Sequence, residues 1–124
     1  MNHVTKGLCV YGYNQEDINV IQHAISSFND EPMQIISAIG MTDQTVDDII
    51  TNDDDHHFED LMPHIVLFFG FDDTQISSIL RYFPSEVPRP IFCCLTPTNQ
   101  HWPFRKLMKH LIEEEKEMHT RTEQ

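Results

Sequence analysis

Sliding the chain along itself reveals a repeat, and that repeat limits the possible folds more than any other feature. Leu8-Cys9-Val10-Tyr11-Gly12-Tyr13-Asn14 aligns with Val66-Leu67-Phe68-Phe69-Gly70-Phe71-Asp72, 58 residues further on. Each stretch runs into a helical pattern, with Ile18, Ile21, Ile25 and Phe28 on one face in the first copy and Ile76, Ile79, Leu80 and Phe83 in the second. A second apolar run follows in each, Ile35-Ile36-Ser37-Ala38-Ile39-Gly40 against Ile91-Phe92-Cys93-Cys94-Leu95-Thr96, aligned with an offset of 56 that sets Ser37 and Ala38 against Cys93 and Cys94. A last helix closes each copy. It is short in the first, through Val46, Ile49 and Ile50, and long in the second, where Phe104, Leu107, Met108, Leu111 and Ile112 form a stripe.

The order is therefore strand, helix, strand, helix, twice. The strands are unbroken apolar runs, so both sheet faces should be covered, as in parallel sheets flanked by helices. The expected fold is α/β: a small, mainly parallel four-stranded sheet flanked by helices, built from two tandem strand-helix-strand-helix repeats. A ferredoxin-like α+β fold is the alternative, because tandem strand-helix-strand units also generate it, and it would leave one sheet face open. One domain over residues 1–124 is expected, with repeats at 7–51 and 64–119 joined by an acidic, His-containing linker at 52–63. Residues after about Met118 carry no apolar periodicity and are expected to fray.

Charge narrows the function classes. The 124 residues hold 8 Lys+Arg against 20 Asp+Glu, a formal net charge of −12. That excludes a dedicated nucleic-acid binder, which needs clustered cations to displace counterions, and it disfavours an anionic membrane surface. The apolar runs are too short to span a bilayer, residues 1–20 do not read as a leader, and three cysteines with two adjacent do not make a disulfide framework, so the chain reads as cytoplasmic. The acidity is uneven. Residues 1–62 hold 12 acids and one base, whereas residues 63–124 hold 8 acids and 7 bases.

In a parallel sheet, ligands bind beyond the carboxyl ends of the strands. Those ends are expected at Gly12-Tyr13-Asn14, Gly40-Met41-Thr42-Asp43, Gly70-Phe71-Asp72-Asp73 and Thr96-Pro97-Thr98-Asn99. Asn14, Thr42 or Asp43, and Asp72 are suited to cap the following helices, and Asp72 with Gln75 approaches a capping box. The first three ends already carry polar or acidic caps. Only the fourth combines neutral hydrogen-bonding groups with a cationic helix bearing Arg105, Lys106 and Lys109, which makes a small anion conceivable there. The competing reading needs no ligand: Thr98 or Asn99 caps a helix and Trp102 anchors packing.

The other chemical candidates are weaker. Adjacent Cys93 and Cys94 on a strand point to opposite faces and read as buried structural thiols. His56-His57 among Asp53, Asp54, Asp55, Glu59 and Asp60 lacks the fixed spacing of a zinc site or a calcium loop. No nucleophile elbow, zinc-protease motif or glycine-rich phosphate loop is present. No catalytic residue, metal ligand or cofactor is assigned.

From about His64 to His119 the residues resemble the bacterial family called domain of unknown function 3783. The pieces that carry the resemblance are Phe69-Gly70-Phe71-Asp72-Asp73, Leu95-Thr96-Pro97-Thr98-Asn99, Trp102, and Leu107 through Glu115. The resemblance implies a small bacterial cytosolic protein and brings no established activity. The first repeat has Gly40-Met41-Thr42-Asp43 and Val46 in the equivalent places. Two functional readings follow. One is a non-catalytic binding or regulatory module that self-associates, or binds a protein partner, with an acidic half meeting a basic helix. The other is a small-ligand receptor or small enzyme with a pocket at the sheet's carboxyl edge, ligand-binding residues Thr96, Thr98, Asn99, His101, Trp102 and Arg105.

Overall fold

The structure, a computed structural model, describes residues 6–27, 29, 32–51 and 57–122. The order is β1 (Gly7–Tyr11), α1 (Gln15–Ser26), β2 (Gln34–Ser37), α2 (Val46–Thr51), β3 (Ile65–Phe69), α3 (Asp73–Arg81), β4 (Ile91–Cys94) and α4 (Phe104–Thr122), with a single 3-10 turn at Asn99–His101. Phe28 and the linker positions from Asn52 to His56 lie outside the described residues.

The four strands form one mixed, mostly parallel sheet in the order β2-β1-β3-β4. β1 pairs with β2, and β3 with β4, in parallel, and the two parallel pairs meet antiparallel between β1 and β3. The inner strands are buried on both faces, as their unbroken apolar sequences require. On one face Leu8, Val10, Val66 and Phe68 pack against Ile18, Ile21 and Ile25 of α1 and Ile79 of α3. On the other, Cys9, Ile36, Leu67 and Phe69 pack against Val46 and Ile49 of α2 and Phe104, Leu107 and Leu111 of α4. Helices on both faces leave no room for the open sheet of a ferredoxin-like fold.

Three expectations need correction. First, the carboxyl ends of the strands do not share an edge. Because β1 and β3 run antiparallel, the ends at Asn14 and Gly40–Asp43 fall at one end of the sheet and those at Asp72 and Thr96–Asn99 at the other. Second, the strand alignment shifts by one residue. Leu67 pairs with Cys93 as Cys9 pairs with Ile36, so Ile36 and Ser37, not Ser37 and Ala38, take the ladder positions of Cys93 and Cys94. Burial sets this register, since a one-residue slip would turn Ile36 away from the core it helps to fill. Third, α4 continues to Thr122, beyond the apolar stripe, in a segment rich in Glu and Lys, which are good helix formers.

The caps follow the sequence closely for two helices. Asn14 Oδ1 accepts from the Asp17 N–H at 2.9 Å, and Asp72 with Gln75 makes a full capping box at 2.8 and 3.0 Å. For α2 the cap is Thr45, whose Oγ1 accepts from the Asp48 N–H at 3.1 Å, in place of Thr42 or Asp43. The glycines ending β1 and β3 adopt positive φ, 95° at Gly12 and 81° at Gly70. At Gly12 a Cβ would stand 2.1 Å from the Leu61 carbonyl oxygen, so a side chain there would displace the returning linker.

Candidate functional site

β4 is an edge strand, and α4 lies over its α2/α4 face. Between them runs a groove of about 290 Å³, bordered by Phe92, Cys93, Thr96, Thr98, Asn99, Trp102, Leu107, His110, Leu111 and Glu114. Phe92 packs its ring on the opposite face of the sheet, stacked on Phe68 with centroids 5.8 Å apart. The groove therefore opens at the strand edge. Its floor is apolar, from Leu107 and Leu111.

The loop after β4 is held from inside. Asn99, 8% exposed, accepts at Oδ1 from the Thr96 N–H and donates through its own N–H to Thr96 Oγ1, both at 2.9 Å. Its Nδ2 donates to the Cys94 carbonyl at 3.0 Å. This reciprocal pair is a capping box in miniature, with Thr96 rather than Thr98 supplying the hydroxyl. Asn99 is thus a loop clamp that fixes Thr96 against the end of β4, beside the groove.

One flank of α4 supplies the second wall. Lys106, His110 and Glu114 recur every four residues along the helix, and Trp102, in the extended turn just ahead of α4, continues that spacing. Lys106 Nζ sits 4.7 Å from the centre of the Trp102 ring, the His110 ring meets Trp102 edge-on at 5.3 Å, and His110 Nε2 lies 2.6 Å from Glu114 Oε1. Cys93 is pushed up to about 12 by burial first, then by the neighbouring Cys94 thiol and the Glu114 carboxylate. A thiol held protonated in this way is a poor nucleophile and a poor metal ligand. Cys94 is exposed, contrary to a buried pair, and is also raised, by partial burial and then by Asp73.

Of the six residues expected at this site, Thr96, Thr98, Asn99 and Trp102 border the groove. Arg105 and His101 do not. Arg105 Nη1 lies 2.7 Å from Asp43 Oδ1, on the side of the first half, and His101 is exposed with its Nε2 3.3 Å from the Gln100 amide. The start of α4 is closed to an anion. The Phe104 and Arg105 N–H groups donate to the carbonyls of Gln44 and Thr42, both at 2.9 Å, and those of Lys106 and Leu107 donate to Pro103. Cys93 was weighed in the sequence only as a structural thiol, and His110 and Glu114 escaped the sequence reading. The four-residue spacing from Trp102 to Glu114 was the signal that could have found the last two.

The antiparallel join builds a second polar cluster, at the other end of the sheet. The Tyr13 hydroxyl donates to the Pro88 carbonyl at 2.5 Å, and its ring lies 5.0 Å from that of His64. His64 Nε2 is 3.2 Å from Asp60 Oδ1. Asp17 is raised, by burial first and then by the Asp60 charge, with His64 acting in the opposite direction. No sequence proximity links Tyr13 to His64 or Pro88.

In the linker, the described His57 pairs with Glu59 at 3.0 Å in an exposed position, while Asp53, Asp54, Asp55 and His56 lie outside the described residues. Among the described residues no group of three or more His, Cys, Asp or Glu side chains is placed to hold a metal ion, and no helix is long and apolar enough to cross a membrane.

Comparison with known proteins divides the chain as the strand pairs do. No curated protein and no solved structure matches it. Residues 64–118, from the start of β3 through most of α4, are a domain of the family described as Domain of unknown function (DUF3783).

Proposed function

We propose that the chain is a non-catalytic binding module whose ligand is a small molecule with an apolar body, held in the β4–α4 groove. The observation that carries this is the groove itself: an apolar floor bordered by the Trp102 ring, two threonine hydroxyls and the Glu114 carboxylate. Its size is at the low end of small-molecule sites, and its loop is fixed by Asn99 before any ligand arrives. The protonated Cys93 supports binding over covalent chemistry.

The lining favours a neutral or cationic ligand over an anion. Arg105 is engaged by Asp43, Lys106 lies on Trp102, and the first N–H groups of α4 are bonded within the chain. The Arg105–Asp43 pair also meets, inside one chain, part of the charge asymmetry that would draw two copies together.

Trp102 is the sole tryptophan and reports directly on the groove. Screening small uncharged, cationic and anionic aromatic compounds by Trp102 fluorescence and amide NMR is expected to find binders that shift Thr96, Thr98 and His110 together. Binding is expected to vanish in Trp102→Ala. A screen in which no compound moves those signals, or in which binders survive Trp102→Ala, overturns the reading.

A further inference from the structure

Two contacts join matched positions of the two halves. At the centre of the β1–β3 ladder Cys9 faces Leu67, 58 residues on, and the flanking pairs run symmetrically outward, Gly7 opposite Phe69 and Tyr11 opposite Ile65. On the α2/α4 face Thr45 bridges Pro103, again 58 residues on. The hydrogen bonds at that bridge are reciprocal: the Val46 N–H donates to the Trp102 carbonyl at 3.0 Å and the Phe104 N–H to the Gln44 carbonyl at 2.9 Å. Exchanging the halves turns each of these bonds into the other.

One such coincidence could be accidental, because an antiparallel pair must have a midpoint somewhere. The second lies in a different layer, between loops, and has the same offset. Two self-matched contacts in separate layers define a half-turn axis through the molecule, the geometry of an isologous interface. From this we infer that residues 6–51 are a second, diverged copy of the domain at 64–118, and that the β3 edge with the first turn of α4 is the surface by which one copy of this domain binds another. This surface meets the groove only at Trp102, whose carbonyl serves the bridge and whose ring borders the groove.

The surface is compatible with a second copy of residues 64–118 in place of the first half. Ile65 would then face Phe69 at both ends of the ladder, and the chain already places an aromatic residue, Tyr11, opposite Ile65. Leu67 would meet Leu67 on the axis, where it now meets Cys9. The bridge would survive with proline on both sides, because it uses the Phe104 N–H and the Trp102 carbonyl and needs no donor from Pro103.

The test uses the full chain with a specific protease site replacing residues 52–56, cut after folding, and read by native mass spectrometry. The nicked halves are expected to remain together one to one. When purified 57–124 fragment is added in excess, pairs with the mass of two second halves are expected to appear as first half is released. A fragment that stays monomeric or unfolded beside intact pairs at every ratio overturns the inference. An independent arm is a circular permutant running 57–122, linker, 6–51, which the axis expects to fold with the same circular dichroism spectrum and one cooperative transition. An unfolded permutant also overturns it.

Discussion

The backbone N–H of Val46 donates to the carbonyl of Trp102 at 3.0 Å, so the first turn of α2 is tied to the residue whose ring borders the β4–α4 groove. The tie is a backbone bond and does not depend on the Trp102 side chain. Trp102→Ala is therefore expected to empty the groove wall and lower stability by about 2 kcal/mol without detaching α2. Urea unfolding gives the first quantity. Amide exchange at Val46 checks the second, and rapid exchange there would contradict it.

Asn99 and Thr98 both border the groove, but only Asn99 clamps the loop. Replacing it removes bonds to two backbone sites. Asn99→Ala is expected to cost about 1–3 kcal/mol, whereas Thr98→Ala should stay within about 0.5 kcal/mol of the parent. Chemical denaturation of the two variants side by side distinguishes a clamp from a hydroxyl that only borders the groove.

The thiols should set an alkaline limit on stability. Cys9, 0% exposed, is pushed up from 9.0 to about 12, by burial first and then by Cys93. Below pH 9 the unfolded thiol is protonated too, and the group has no effect on the balance. Above it the unfolded chain loses a proton that the folded chain retains, so stability falls by about 1.4 kcal/mol per pH unit for this thiol until the folded value is reached. Denaturation midpoints from pH 8 to 11 should decline, and Cys9→Ala should reduce the slope. An unchanged slope in that variant would place the titration elsewhere. In the folded chain at neutral pH, a thiol reagent should modify exposed Cys94 well before Cys93 or Cys9.

Tyr13 is fully buried with its hydroxyl on the Pro88 carbonyl. Tyr13→Phe keeps the ring against His64 and leaves that carbonyl without this donor. A loss of about 1–2 kcal/mol in urea unfolding is expected, larger than for a neutral surface change. A loss below about 0.5 kcal/mol would mean that water takes over the bond.

The elements were legible because their apolar periodicities are strong: the Ile18, Ile21 and Ile25 face of α1 and the unbroken Ile65–Phe69 run are local signals. The direction in which β3 meets β1 was not, since no residue near either strand encodes it. That missing fact misplaced the strand ends and hid the Tyr13–His64 cluster, whose members meet only through the antiparallel join. In the groove, the Thr-Pro-Thr-Asn segment and Trp102 were found because their types are distinctive. That Arg105 turns from the groove was not legible, because its partner, Asp43, lies 62 residues away, and His110 and Glu114 carry no signal of their own because charged residues on a long helix are usually solvated.

The antiparallel meeting of β1 and β3 also governs the backbone electrostatics. A helix that returns the chain between parallel neighbours runs against them, so α1 and α3 lie antiparallel on their face of the sheet. Their macrodipoles oppose one another. On that face, the described helices therefore give no single positively polarised end of the kind that collects phosphate groups in doubly wound sheets. The charge that borders the β4–α4 groove is instead carried by side chains, Glu114 of α4 among them.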